Sequence, residues 1–238
     1  YSWTRDFSSV VYDGTHSDKR SDLITYQSYN EFSRGINSIP SSDANYTDNY
    51  KHIRRTNLLL QNAEAYAKPE DIKQYIGEAY FFRAYSYFDL LQLYGDVIIT
   101  KKPLDITDPE MKVKRNDRSE VVDLIIDDLN HAVENLPAFK ELTTEEEGRI
   151  SKEGAQAFLS RVALYEGTWQ KSRNGNQNTQ RSANLLDIAA KAARTVIDAK
   201  YGYTFRLFGT DSETKILGDS AQKYMFILEN EKSNPAGI

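Results

Sequence analysis

Apolar residues recur at helical spacing in five stretches of the sequence. Their periodicity predicts helices at about 46–66, 72–94, 118–136, 151–169 and 182–200. The flanking residues agree with these limits, because proline and acidic residues precede the second stretch and a glycine follows it. Polar segments separate the stretches. The pattern therefore predicts a mostly α chain.

The stretch 72–94 differs from the others because it is apolar nearly all round. Two stripes cover its surface, formed by Ile72, Ile76, Ala79, Ser86, Leu90 and Leu93 and by Tyr75, Phe82, Tyr85, Phe88 and Leu91. A helix of this kind is buried at the centre of a fold. Gly77 and Ala84 are small and allow neighbouring helices to approach closely. We therefore expect the other helices to pack around this one.

A short pattern of residues occurs twice. Glu78–Arg83 followed by Tyr87 matches Gln156–Arg161 followed by Tyr165 at a constant offset. A small residue, an aromatic residue, an arginine and a tyrosine at these positions suit one helix of a helical-hairpin repeat, and such repeats stack into right-handed solenoids. The predicted fold is a tetratricopeptide-like helical-hairpin solenoid with irregular loops and minor β structure. Strand-like runs at 203–208 and 224–228 supply the β structure.

Composition excludes several classes of function. The chain has 238 residues, 39% of them hydrophobic, which is enough for one large domain. Its net charge of -5 argues against nucleic acid as the main partner. It contains no cysteine, which excludes disulfides, thiol nucleophiles and cysteine-ligated metals. No apolar run approaches the length of about 20 residues that spans a membrane.

No catalytic or metal-binding motif is present. His16, His52 and His131 are far apart, and no H-E-x-x-H or phosphate-binding glycine loop occurs. The paired acids at 127–128 and 145–147 are more typical of a solvated surface than of a glycosidase. We therefore predict no catalytic residue, no metal and no cofactor.

Three polar residues fall on predicted apolar faces. Glu78 and Arg83 lie on the central helix, where a charge needs a partner. They indicate either a functional site or, as we favour, a buried ion pair or bonds to loop carbonyls. Asn57 lies in the apolar stripe of the first helix and is interpreted as a buried amide that binds a loop.

The segment GEAYFFRAYSYFDLLQLYGDVII resembles the signature helix of the SusD/RagB family. These proteins are nutrient-binding lipoproteins on the surface of Bacteroidetes-type outer membranes. Four further segments resemble successive helices of the family, at 49–63, 118–137, 148–169 and 185–205. The resemblance implies that residues 1–238 form the N-terminal, tetratricopeptide-like domain of a longer chain. We expect a lipid anchor upstream of Tyr1.

The resemblance also implies a function. A family member of this kind is a non-catalytic cell-surface protein that binds a nutrient, here an oligosaccharide or other glycan. It works with a SusC-like, TonB-dependent transporter of the outer membrane. Two alternatives stay open, namely a helical scaffold that binds only protein and a peptide-binding relative of RagB. A glycan hydrolase is a third class, which the absence of a catalytic motif disfavours.

The predicted ligand-binding residues come from two sources. In the family, the ligand site includes the loop before the helix that resembles 49–63, which implies Asp43, Asn45, Tyr46 and Asn49 here. Tyr46 stands where tryptophan is common, and we expect its ring to be exposed in a loop. The alternative makes Tyr46 the first core residue of its helix. The N-terminal aromatic segment adds Trp3 and Arg5, because aromatic rings and guanidinium groups suit sugar binding.

Overall fold

The structure, a computed structural model, describes residues 35–36, 38–146, 148–173 and 179–206 and the single residues 210, 215 and 218. The chain divides into two compact units, Tyr1–Ala44 and Asn45–Ile238. Within the described ranges there are five α-helices, α1 (Ala44–Glu64), α2 (Lys73–Tyr94), α3 (Arg118–Asn135), α4 (Lys152–Arg173) and α5 (Thr179–Ile197). Short 3-10 helices occupy Pro69–Ile72, Pro109–Lys112, Phe139–Glu141 and Thr144–Glu146.

Successive helices run antiparallel. The amide of Asn49, near the start of α1, donates to the Asp89 carboxylate near the end of α2 at 2.7 Å. The start of α2 in turn contacts the end of α3, where Gly77 meets Leu136. The guanidinium of Arg118 at the start of α3 donates to a carboxylate near the end of α4. This alternation confirms the predicted mostly α, tetratricopeptide-like arrangement.

The helices α4 and α5 are also antiparallel. The hydroxyl of Ser160 donates to the Ala189 carbonyl at 2.8 Å, and the hydroxyl of Ser182 donates to the Gly167 carbonyl at 2.8 Å. A Cβ atom at Gly167 would lie 3.0 Å from the Leu186 side chain. The small residue therefore permits the two helices to approach closely.

The second helix lies at the centre of the core, as its sequence predicts. Ala84, Tyr87, Leu90 and Leu91 have no solvent exposure. They belong to one apolar cluster with residues of the other four helices. The ends of α2 are less covered than the pattern indicates, since Tyr75 and Leu93 are exposed. Burial is thus complete only along the middle of the helix.

The residue pattern shared by α2 and α4 does not give its two arginines the same role. Arg83 on α2 is 5% exposed, whereas Arg161 at the matching place on α4 is exposed. Gln156, which matches Glu78, donates to the Tyr201 hydroxyl at 3.1 Å instead of forming an ion pair. The pattern therefore marks equivalent helices, while each arginine has its own surroundings.

Several predicted boundaries are corrected. The first helix begins at Ala44, before the predicted start, and α4 continues to Arg173 through a segment predicted as a polar loop. The apolar pattern did not predict this extension because its residues are polar. Gln170 is nevertheless buried, and its amide donates to Glu166 at 2.6 Å. The fifth helix begins at Thr179, three residues before its predicted start.

The minor β structure is limited to one isolated antiparallel bridge in the part of the chain that the structure describes, between Val97 and Asn116. Residues 203–206 form no strand. Their rings pack on a neighbouring side chain instead, since Tyr203 and Phe205 lie 4.6 Å and 5.4 Å from the Phe139 ring. The second strand-like run, 224–228, lies outside the described residues.

The contact between Gly77 and the end of α3 generates a stability test with an internal control. A Cβ at Gly77 would lie 2.8 Å from the Leu136 side chain and 2.9 Å from its backbone nitrogen, whereas at Gly154 the nearest atom is 3.8 Å away. We expect Gly77→Ala to lower the free energy of unfolding by about 1–2 kcal/mol, because the overpacking exceeds the gain in helix propensity. Gly154→Ala should raise it by about 0.5–1 kcal/mol.

Urea unfolding of both variants checks this pair. Equal stabilisation by the two substitutions would contradict the close approach of α2 to α3.

Candidate functional site

A groove of about 380 Å³ lies between the first half of α1 and the segment 98–111. Aromatic, aliphatic and charged side chains share its lining, which consists of Tyr46, Tyr50, Arg54, Ile98, Thr100, Lys102, Leu104, Glu110 and Met111. A concave surface with a mostly apolar lining and a few polar groups is the usual form of a small-molecule binding site.

Two tyrosines form the wall that α1 contributes. The half-buried Tyr46 ring lies 4.8 Å from Tyr50 and meets Tyr94 edge-on at 5.3 Å, measured between ring centroids. The Tyr50 hydroxyl donates to the Ile98 carbonyl at 2.7 Å. Burial raises the pKa of Tyr50 far above its usual range, so its hydroxyl remains a donor at all physiological pH values.

Charged groups lie on both sides of the groove, with Arg54 on α1 and Lys102 and Glu110 on the segment 98–111. The guanidinium of Arg54 donates to the Leu104 carbonyl. The Lys102 ammonium lies 2.7 Å from the Glu110 carboxylate. This hydrogen-bonded pair raises the pKa of Lys102 and lowers the pKa of Glu110, so both groups are charged at neutral pH. The groove therefore offers both donors and acceptors.

A buried polar network holds the wall opposite α1 in place. The amide nitrogen of Asn57 donates to the carbonyls of Thr100 and Lys102 at 2.9 Å and 3.3 Å. Its oxygen accepts a hydrogen bond from Arg83 at 2.8 Å. The same guanidinium binds Asp128 through two hydrogen bonds of 2.8 Å and 2.6 Å. The network thus joins α3, α2 and α1 to the loop that lines the groove.

This arrangement confirms the predicted roles of Asn57 and Arg83, as a loop-binding amide and a buried ion pair. The prediction for Asp128 was wrong, because we expected it to face solvent with its neighbour Asp127. Asp128 is fully buried, and burial raises its pKa while the hydrogen bonds from Arg83 act in the opposite direction. Of the two adjacent acids, only Asp127 is exposed.

The central helix adds a further contact to the same loop. The backbone N–H of Thr100 donates to the Tyr87 hydroxyl at 2.8 Å. Tyr87 is buried, and desolvation raises the pKa of its phenol. Side chains of α1 and α2 therefore bind the main chain of this loop at residues 98, 100, 102 and 104. The position of the loop, and with it the shape of the groove, follows from these bonds.

The other charge predicted on the central helix also has a partner. The Glu78 carboxylate accepts two hydrogen bonds of 2.7 Å from Arg149. Among the described residues, no group of three or more His, Cys, Asp or Glu side chains comes together as metal ligands would. In those ranges, none of the helices has the length and apolar character needed to cross a bilayer.

The predicted ligand residues have different surroundings in the structure. Asn45, Tyr46 and Asn49 lie within the first two turns of α1 and not in a preceding loop. Asn49 is buried, and its amide donates to Asp89 and to the Asn45 carbonyl. Asp43 is half-buried directly before α1. Trp3 and Arg5 lie outside the described residues.

Among the predicted ligand residues that the structure describes, Tyr46 is the one that lines this groove. Its ring lies on a helix and packs partly on the apolar cluster. The prediction of a ring exposed in a loop was therefore wrong, and the structure is nearer to the alternative, a core residue of the first helix. Sequence reasoning missed Lys102 and Glu110, because these charges occur in a loop without periodicity. Tyr50 and Arg54 were assigned no role in binding, although they follow Tyr46 at the i, i+4 and i+8 spacing that places them on one face of the helix.

The fold and groove define a helical protein with a concave surface suited to a small ligand. Comparison with known proteins gives its family. Residues 8–164 match the family of SusD-like proteins described as starch-binding and associating with the outer membrane. The chain belongs to this SusD-like family, whose members are non-catalytic glycan-binding proteins. This agrees with the absence of a catalytic motif from the sequence.

Three relatives illustrate the match. SusD-like protein P38 of Formosa agariphila is 33% identical over 133 residues, which are 54% of this chain and 25% of that protein. A SusD-like protein of Bacteroides fragilis superposes with a TM-score of 0.62 at 27% identity, over 77% of this chain and 32% of that one. A laminarin-binding SusD-like protein gives 0.58 at 25% identity, over 80% and 38%. The chain therefore spans about a quarter to two fifths of these relatives.

The buried network generates a second paired prediction. Asp128→Asn removes the charge that compensates Arg83, and we expect it to lower the free energy of unfolding by about 3–5 kcal/mol, as is usual when one partner of a buried ion pair is lost. Asp127→Asn alters the adjacent exposed acid and should change stability by less than about 0.5 kcal/mol. Chemical unfolding at neutral pH compares the two. A small, equal effect of both substitutions would contradict the structural role of the network.

Proposed function

We propose that the groove beside Tyr46 binds a glycan at the outer surface of the cell. The observation that carries the proposal is the combination of Tyr46 with donors and acceptors on the facing loop. Sugar rings present C–H faces that pack on aromatic rings, and their hydroxyls need polar partners. A rigid ring surrounded by a few polar groups meets both requirements.

The charges around the groove favour a neutral or weakly charged ligand. Lys102 and Glu110 offset each other at 2.7 Å, and the Arg54 guanidinium already donates to a loop carbonyl. Glycan hydroxyls both donate and accept, so a balanced ion pair suits them better than an excess of one charge does. The laminarin-binding relative and the starch-binding description of the family support a glucan as the first ligand to test.

The proposal includes a partner and a location. The protein captures its glycan at the outer membrane and delivers it to a SusC-like, TonB-dependent transporter, and a lipid anchor upstream of this chain holds it there. The family's association with the outer membrane supports the location. The protein itself carries out no chemical step on the glycan.

A scaffold that binds only protein is the competing function, and one observation favours it. A second, apolar groove of about 450 Å³ borders the end of α1. It exposes Leu58, Leu59, Tyr66 and Tyr75. Exposed apolar side chains in one place are typical of protein contact surfaces. A peptide-binding relative would use the same type of surface.

Tyr46→Leu tests the glycan groove. Leucine retains much of the apolar contact with the core but removes the flat ring. We expect affinity for the cognate glucan to fall about ten- to thirty-fold, the size of a moderate aromatic hot spot. Calorimetric titration with laminarihexaose, maltohexaose and cellohexaose measures this for the natively folded fraction of the protein.

Tyr66→Leu is the matched control, because Tyr66 is exposed beyond the opposite end of α1. It should bind glucans as the wild type does. Wild-type affinity in Tyr46→Leu would contradict the assignment of the glycan site to the groove beside Tyr46. Loss of binding in Tyr66→Leu alone would indicate that the glycan binds in the apolar groove instead. Failure of the wild type to bind any of the three glucans would contradict the proposed glucan.

The transporter is tested separately. We expect the tagged protein to co-purify with a SusC-like transporter from detergent-solubilised outer membranes, and Tyr46→Leu to leave this association unchanged. Transporter binding without any glycan binding would support the scaffold. Glycan binding without the transporter would contradict the proposed partner.

A further inference from the structure

A further groove, called the polar groove below, borders the contact between Tyr46 and Tyr94. It has a volume of about 530 Å³ and forms where the end of α2 meets the start of α3 and the end of α4. Tyr94 lines this groove, and its ring meets Tyr46 edge-on with the centroids 5.3 Å apart. Because Tyr46 lines the first groove, the two grooves are adjacent at this pair of rings.

Trp169 on α4 is a large aromatic side chain of the polar groove, and an arginine that is itself held by an ion pair packs on its ring. The Arg118 guanidinium lies 4.1 Å from the centre of the Trp169 ring. Arg118 itself donates to Glu166 at 2.9 Å, and Glu166 is fully buried. An indole held in this way loses little conformational entropy when a ligand packs on it.

The ligand chemistry follows from the charges around the ring. The carboxylates of Asp96 and Asp117 offset the guanidiniums of Arg115 and Arg118, and Arg118 is already paired with Glu166. A sulfated or uronic acid sugar needs an excess of positive charge, which this lining lacks. The exposed Asp96 and Arg115 instead offer acceptors and donors to neutral hydroxyl groups.

We propose that this groove is a second glycan subsite for an uncharged sugar, with Trp169 as its platform. An oligosaccharide long enough to cross the Tyr46–Tyr94 pair occupies both grooves. The inference rests on the proposed function of the first groove, and it makes the protein selective for chain length. Each groove binds part of one chain, so the two contributions add within a single binding event.

The chain contains two tryptophans, Trp3 and Trp169. In a Trp3→Phe variant the intrinsic indole fluorescence reports on Trp169 alone. The ligand is the glucose hexasaccharide, among laminarihexaose, maltohexaose and cellohexaose, that binds in calorimetry. We expect it to change this emission with the same midpoint as a calorimetric titration of the same Trp3→Phe variant, so that any effect of Trp3 itself is shared by both measurements. The corresponding disaccharide should bind more weakly.

Arg115→Ala in the otherwise unchanged protein is the second test. Arg115 is exposed, so its removal should leave the fold intact while lowering hexasaccharide affinity about tenfold. Lys114→Ala removes an adjacent exposed charge that does not line the groove, and it should have no effect.

The outcomes separate the two proposals. Hexasaccharide binding that depends on Tyr46, leaves Trp169 emission unchanged and tolerates Arg115→Ala overturns the second subsite but retains the first. A change in Trp169 emission that tracks binding, together with weaker binding by Arg115→Ala, supports it. Absence of binding by all three hexasaccharides contradicts the proposed glucan and overturns the second subsite, which rests on it.

Discussion

The bidentate ion pair between Arg83 and Asp128 is the interaction on which the rest of the structure depends. Both side chains are buried, and a buried charge without a partner is strongly destabilising. Arg83 also donates to Asn57, which uses its amide to bind two carbonyls of the loop at 100 and 102. A purely apolar replacement could match the stability of this pair. It could not direct a side chain from α1 to that loop.

The groove is a consequence of that connection. Residues 98–104 form no strand or helix of their own, so side chains must satisfy their carbonyls. Tyr50 binds at residue 98, Tyr87 and Asn57 bind at residue 100, and Arg54 binds at residue 104. Because the binding residues sit on packed helices, the loop has one defined position relative to Tyr46. A carbohydrate site needs such preorganisation, since ordering a loose loop on binding would reduce affinity.

The sequence allowed the helical fold to be predicted because apolar periodicity is a local signal. The five helices, the central position of α2 and the loop-binding role of Asn57 all follow from it. The partner of Arg83 could not be found in this way, because a pattern of apolar and polar positions cannot distinguish a buried, paired acid such as Asp128 from its exposed neighbour Asp127. Long-range contacts decide that difference.

The site was harder to predict than the fold for the same reason. The polar residues at the start of α1 are typical of a loop, yet Asn49 is buried because Asp89 on α2 accepts its hydrogen bond. Tyr46 consequently lies on a helix, with its ring partly on the core. The facing wall consists of loop residues such as Lys102 and Glu110, which no periodic pattern could associate with Tyr46.

We propose above that a glycan occupies the groove between α1 and the 98–111 loop. The most direct measurement is nuclear magnetic resonance titration of the ¹⁵N-labelled protein with the glucan hexasaccharide that binds in calorimetry. We expect the amide signals of Tyr46, Thr100 and Met111 to shift together and to saturate at the calorimetric midpoint. Unchanged signals at these residues, with shifts confined to the apolar groove around Leu58 and Tyr75, would contradict it.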